Sequence, residues 1–142
     1  MTSRHEIVTP ASRQGGSPRR VLVVEDNSLV AAEIVRMVTS LGCDVAGPIG
    51  TLSEAMDFAR RQNEPGTTPT DVALLDVNIS NEQVYPLAER LLEARVPLVF
   101  VTAYTKDMLP DQFQNHACLE KPFTETELQS ALEHALTQPT PP

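Results

Sequence analysis

Apolar residues in this chain fall into two kinds of segment that alternate. The first kind is a short unbroken run, as in Val21 to Val24, Val72 to Leu75, Val96 to Val101 and Ala117 to Leu119. Runs of this length with almost no polar position inside them are the pattern of strands buried on both faces. The second kind has apolar residues recurring every three or four positions, the spacing of a helix with one buried side. Val30, Ile34, Val38 and Leu41 form such a stripe, and Gly42 supplies its stop.

Taken in order, the pattern predicts a strand after Arg20 ended by Glu25-Asp26-Asn27-Ser28, then a helix from about Leu29 to Leu41. A short second strand follows over Asp44 to Gly47, and a second helix over Leu52 to Arg61 with Thr51 or Ser53 as its cap. Asn63 to Thr70 reads as a Pro/Gly/Thr loop. Val72 to Asp76 is a third strand ending on a carboxylate. A polar loop, a helical segment from Val84 to Ala94 and a fourth strand over Val96 to Val101 come next. Tyr104 to His116 contains Pro110, so only a short or loosely formed helix is expected there, near Asp111 to Asn115. Ala117 to Glu120 is the fifth strand. Thr124 and Glu127 have the spacing of a capping box and open a last helix carrying Leu128, Ala131, Leu132, Ala135 and Leu136 on one face.

Strands alternating with helices predict an α/β fold with a parallel sheet. Right-handed crossovers then bring the carboxyl ends of all strands to one edge, where ligands bind at the point of strand-order reversal. Residues 1–19, with Pro10, Gly15, Gly16, Pro18 and scattered Ser and Arg, offer too little apolar surface to offset ordering and are expected to be a disordered tail. The domain is expected over 20–137, with 138–142 a Pro-rich flexible tail.

Composition narrows the function classes. The 142 residues suit one domain, and 41% apolar content with no Trp means a core built mainly from Val, Leu, Ala and Ile. A net charge of −8 argues against nucleic-acid binding, which needs a basic face to displace counterions. The basic stretch at Arg4, Arg13, Arg19 and Arg20 reads as part of a solvated leader. No apolar run approaches the roughly 18 residues of a membrane span, and the amino terminus lacks the apolar stretch of a secretory signal. A cytoplasmic protein is expected. Cys43 and Cys118 lie far apart in apolar surroundings without metal-ligand spacing and read as core fillers, while His5, His116 and His134 read as surface residues.

The chemistry collects at the strand ends: Glu25 and Asp26 after the first, Asp76 on the third, Thr102 after the fourth, Lys121 after the fifth. Singly, each has an ordinary explanation as a cap, a turn residue, a buried hydroxyl or a solvated lysine. Together, three converging carboxylates repel one another unless a cation joins them, and an all-oxygen set with positions open to water selects Mg2+. A lysine and a hydroxyl beside them suit a second anionic group. The set therefore reads as a site for a transferable phosphoryl group, with Asp76, central among these residues, as the nucleophile.

These residues resemble the receiver domain of two-component response regulators, which is CheY-like and flavodoxin-like, with strand order 2-1-3-4-5 and helices on both faces. An acidic pair, an aspartate, a Thr/Ser and a Lys-Pro recur there at successive strand ends, here as Glu25-Asp26, Asp76, Thr102 and Lys121-Pro122-Phe123 over about residues 20–137. The resemblance implies Mg2+ bound by Asp26, Asp76 and the carbonyl of Asn78, with Glu25 acting through water. It also implies that Asp76 is phosphorylated, that Thr102 and Lys121 contact the phosphoryl oxygens, and that a cis peptide at Lys121-Pro122 shapes the loop. Pro97-Leu98-Val99-Phe100-Val101-Thr102-Ala103-Tyr104 is similar to the Pro-Phe-x-Phe-Ala-Thr-Gly-Tyr motif of alphaproteobacterial single-domain regulators, departing at Leu98, Val101 and Ala103. That subgroup implies stress signalling with a histidine kinase or a histidine phosphotransfer protein as partner.

One departure bears on mechanism. Many receivers carry a switch aromatic three residues before the lysine, where this chain has Cys118. Tyr104, two residues after Thr102, is the expected replacement, closing across the site when Thr102 moves. With no DNA-binding or catalytic domain after Gln138, a stand-alone, non-enzymatic phosphoacceptor working by docking is expected. A receiver-like scaffold that acts without phosphorylation is the alternative that Cys118 suggests. An aspartate-nucleophile phosphatase would need a DxD motif after the first strand, and Val24-Glu25-Asp26-Asn27 lacks it.

Overall fold

A computed structural model describes residues 11–12, 16–104 and 106–137. Its elements are β1 (Arg20–Val24), α1 (Ser28–Ser40), β2 (Asp44–Ile49), α2 (Leu52–Arg60), β3 (Val72–Asp76), β4 (Asn78–Ile79), β5 (Glu82–Gln83), α3 (Tyr85–Glu93), β6 (Leu98–Thr102), β7 (Ala117–Glu120) and α4 (Glu125–Thr137). Five strands form one sheet in the order β2-β1-β3-β6-β7, all parallel, and β4 and β5 pair separately as a small antiparallel hairpin. This is the flavodoxin-like, CheY-like arrangement.

The unbroken apolar strands are explained by burial on both faces. Leu22, Val24, Ala73, Leu75, Leu98 and Phe100 enter a core shared with Ala55, Leu87 and Leu91 of α2 and α3. Their neighbours Val21, Val23, Val72, Leu74, Val99 and Val101 enter a second core with Ile34 and Val38 of α1 and Leu128 and Leu132 of α4. Each such fully buried Val or Leu contributes about 1.5–3 kcal/mol, which is why alternation is absent from these strands. Cys43 and Cys118 pack into the second and first of these cores respectively.

Caps set the helix starts. Asn27 Oδ1 accepts from the amides of Leu29 and Val30, which puts the start of α1 at Ser28. Thr51 Oγ1 accepts from the Glu54 amide and caps α2. The capping box at α4 closes in both directions: the Glu127 amide donates to Thr124 Oγ1, and the Thr124 amide donates to Glu127 Oε1.

Two stretches, β2 and the loop after β3, differ from the pattern-based reading. β2 continues through Pro48 to Ile49, because Ile49 pairs with Val24 across an irregularity and accepts a bond from the Glu25 amide. Gly47 makes this bend possible. Its φ is +97°, and a Cβ there would lie 2.8 Å from the Ile49 nitrogen and 2.9 Å from the Val23 oxygen. Between β6 and β7, as expected for the segment around Pro110, the chain forms no regular helix but two 3-10 turns, Lys106–Met108 and Asp111–Phe113. Leu109 and Phe113 bury their side chains and fix this segment to the sheet. The loop after β3 is a hairpin and not an irregular connection. As for the leader, Ser12 bridges to Pro18 and the Arg19 amide donates to the Ala11 carbonyl. Residues 1–10, 13–15 and the whole of the expected carboxyl-terminal tail, 138–142, lie outside the described residues.

Candidate functional site

The strand order reverses between β1 and β3, so the carboxyl ends of these strands and of β6 and β7 form one crevice. Glu25 and Asp26 follow β1, Asp76 ends β3, Thr102 ends β6 and Lys121 follows β7. The structure brings all five to this edge. One carboxylate oxygen from each of Glu25, Asp26 and Asp76 lies within 4.8 Å of the others. Glu25 and Asp76 are buried, at 3% and 8% exposure, whereas Asp26 is exposed.

Lys121 ties the buried acids together. Its Nζ lies 3.0 Å from Asp76 Oδ2, a hydrogen bond, and 3.0 Å from Glu25 Oε1. The second contact is an ion pair without hydrogen-bond geometry, so Glu25 Oε1 has no hydrogen-bond partner. The other oxygens are held by main-chain donors. Asn27 N–H reaches Glu25 Oε2 at 3.1 Å, and Asn78 N–H reaches Asp76 Oδ1 at 3.2 Å. The Lys121-Pro122 peptide is cis, and the Lys121 amide donates to the Thr102 carbonyl at 2.7 Å.

The electrostatics record crowding. Burial, then the adjoining Asp76 carboxyl, pushes the Glu25 carboxyl up to about 7, against the pull of Asn27 N–H and Lys121. Burial alone would lower Lys121, but its bonds to Asp76 and Glu25 outweigh it and the ammonium is held above its ordinary range. Among the described residues a single ammonium faces these acids, and one buried oxygen lacks a hydrogen-bond donor. An all-oxygen donor set with an exposed member open to solvent fits a small hard cation.

Thr102 is buried at 3% exposure, and its Oγ1 accepts from the Tyr104 amide at 3.0 Å. Tyr104 itself is 61% exposed. Cys118, half-buried, packs instead against the core that contains Phe100 and Phe113, with Tyr85 stacked on Phe113 at 5.4 Å. One site contact escaped the sequence pattern. Ser80, in the turn between β4 and β5, donates its amide to Asp26 Oδ2 at 2.7 Å, and its hydroxyl lies 3.5 Å from the same oxygen. The polar pair Ser80-Asn81 was the available signal, a two-residue turn flanked by Ile79 and Glu82.

Fold and site together define a class: a doubly wound α/β protein whose switch point carries clustered acids and an ammonium. Residues 21–133 match the response regulator receiver domain family, and the chain belongs to it. It is 30% identical over 117 residues to the phyllosphere-induced regulator PhyR of Methylorubrum extorquens, covering 82% of this chain and 43% of that protein. Among solved structures, SdrG from Sphingomonas melonis Fr1 is similar with a TM-score of 0.70 at 30% identity, over 83% of this chain and 95% of that one. The receiver domain of the sensor histidine kinase PA1611 from Pseudomonas aeruginosa PAO1, with a magnesium ion coordinated in its active site cleft, matches with a TM-score of 0.67 at 26% identity. That match spans 86% of this chain and 100% of the other. The likeness to PhyR and SdrG is consistent with the alphaproteobacterial subgroup that the Thr102 motif resembles. The chain spans about half the length of the curated relatives it matches, from 43% to 58%. Among the described residues no helix is long and apolar enough to cross a membrane.

Proposed function

We propose that this receiver domain accepts a phosphoryl group on Asp76 from a phosphohistidine and signals by docking to other proteins. The observation that carries the reading is the position of Lys121 Nζ, 3.0 Å from both Asp76 and Glu25, at a switch point where Asp26 completes the acidic set.

The chemistry is an in-line transfer. An Asp76 carboxylate oxygen attacks phosphorus, the bond from phosphorus to the histidine nitrogen breaks, and the imidazole leaves with the electron pair. The product is an acyl phosphate. Lys121 neutralises one phosphoryl oxygen and the Thr102 hydroxyl donates to another. Asp26, Asp76 and the carbonyl of Asn78 would hold Mg2+, with Glu25 acting through water, and the ion supplies positive charge against the phosphoryl oxygens. Burial of Asp76 keeps its carboxylate poorly hydrated and fixed in direction.

The donor is a sensor histidine kinase or a histidine phosphotransfer protein, and the setting is the cytoplasm, in stress signalling. The domain works as a phosphoacceptor with self-phosphotransfer and self-dephosphorylation as its own chemistry. Tyr104 follows Thr102 and closes over the phosphoryl group, while Pro122 shapes the lysine loop.

Incubation with acetyl phosphate or a phosphorylated kinase in the presence of Mg2+ tests the reading on a phosphate-affinity gel. A shifted band in the wild type and none in Asp76→Asn is expected. An unshifted wild-type band would favour the scaffold that acts without phosphorylation.

A further inference from the structure

Among the acids of the site, Asp26 is the exposed one, and its anchor is not on its own strand. Glu25 and Asp76 are buried and fixed by Asn27 N–H, Asn78 N–H and Lys121. An exposed aspartate without such donors samples several rotamers, and a cation would have to immobilise it. Among the described residues Asp26 takes its hydrogen bonds from Ser80, across 54 positions of sequence.

The backbone N–H of Ser80 makes the short contact, 2.7 Å to Oδ2. That length belongs to a charge-assisted bond, while the hydroxyl at 3.5 Å adds little. Ser80 and Asn81 have φ values of +50° and +68°, the left-handed backbone that a two-residue hairpin turn requires at both central positions. Glycine is the usual occupant, and side chains at these angles are strained. The strain is held at both ends of the hairpin. Ile79 and Val84 are fully buried, and the Val84 amide bonds to the Val77 carbonyl at 2.9 Å. The hairpin therefore aims one N–H at one carboxylate oxygen and leaves Asp26 Oδ1 for a ligand.

We infer that Ser80 is a positioning residue for the cation, its main-chain N–H holding Asp26 in a binding-ready direction before the ion arrives. The inference rests on the phosphoacceptor reading, in which Asp26 is a Mg2+ ligand. A donor to a ligating carboxylate raises metal affinity typically 10–100-fold.

Two measurements test it. In the metal-free full chain, Ser80 amide exchange followed by NMR should be slowed at least tenfold relative to an unstructured amide, and Asp26→Ala should abolish that protection while Val84 stays protected. Mn2+ affinity, read by water-proton relaxation with Mg2+ as competitor, should be kept within about twofold in Ser80→Gly, which retains the N–H. In Ser80→Pro, which lacks it, affinity should fall at least tenfold. Unprotected Ser80 in the wild type, or a Ser80→Pro protein that binds Mn2+ as tightly as the wild type, overturns the inference. The exchange experiment decides alone if Ser80→Pro does not fold. Failure of the wild type to bind Mn2+ with Ser80 protected would instead remove the cation reading beneath it.

Discussion

Lys121 and Asp76 stand at the ends of strands that are not neighbours, β7 and β3 with β6 between them, yet the ammonium of one lies 3.0 Å from the carboxylate of the other. The long lysine side chain spans the intervening strand, and Glu25 shares its charge. Replacing Lys121 with Ala should cut phosphorylation by acetyl phosphate about a hundredfold, the usual cost of losing one charged donor to a reacting oxygen. A gel time course at fixed Mg2+ gives the rate. A loss below threefold would show that the lysine is a structural tether only.

Glu25 sets a pH dependence for the metal-free protein. Its folded value of about 7 lies above the ordinary 4.5, so the folded state holds the proton more tightly than the unfolded one. The stabilisation this provides is complete below about pH 4.5, fades as pH rises and is gone above about 7. The window is worth about 3 kcal/mol, from the size of the shift. Lys121 changes charge only far above this range. Urea unfolding in the presence of a chelator should show Glu25→Gln roughly equal to wild type near pH 5 and more stable near pH 8. Parallel curves for the two proteins across that range would contradict the assignment of the proton to Glu25.

Tyr104 is 61% exposed and touches the site through its main chain, by the amide bond to Thr102 Oγ1. Removal of its ring should therefore leave stability within about 0.5 kcal/mol. If the proposed closure of Tyr104 over the phosphoryl group holds, the ring screens that group from water once Thr102 engages it. Tyr104→Ala should shorten the lifetime of the acyl phosphate, followed by loss of the shifted band after the donor is removed. An unchanged lifetime means that Tyr104 does not replace the aromatic missing at Cys118.

Phe113 is 1% exposed and meets both Phe100, at 5.2 Å between ring centres, and Tyr85, at 5.4 Å. Phe113→Ala should cost about 3–5 kcal/mol of stability through lost burial and the cavity left behind. The readout is a lower urea midpoint at unchanged slope. Mn2+ affinity should hold, because none of the metal-facing acids contacts this cluster.

Sheet and site were legible to different degrees. Val-Leu-Val-Val at 21–24 and Val-Ala-Leu-Leu at 72–75 announce doubly covered strands because burial on both faces removes every polar position from them. The five strand-end residues followed from topology alone. What could not be read was set by tertiary partners. Gly47 and Pro48 oppose a strand locally, yet pairing of Ile49 with Val24 carries β2 through them. Val96 has strand propensity, but its amide bonds to Leu91 and closes α3, so β6 begins at Leu98. Ser80 was harder to read for a related reason: its bond to Asp26 depends on a left-handed turn that usually carries a glycine, which Ser80-Asn81 lacks.

The pair of 3-10 turns between β6 and β7 has an energetic consequence of its own. A regular helix melts cooperatively, whereas these turns carry few internal bonds and hang on Leu109 and Phe113. The segment beside Thr102 can thus loosen or shift at a small fraction of the global unfolding cost. In this receiver those turns follow directly on Thr102, so a displacement of the threonine has a short path along the chain to the exposed face.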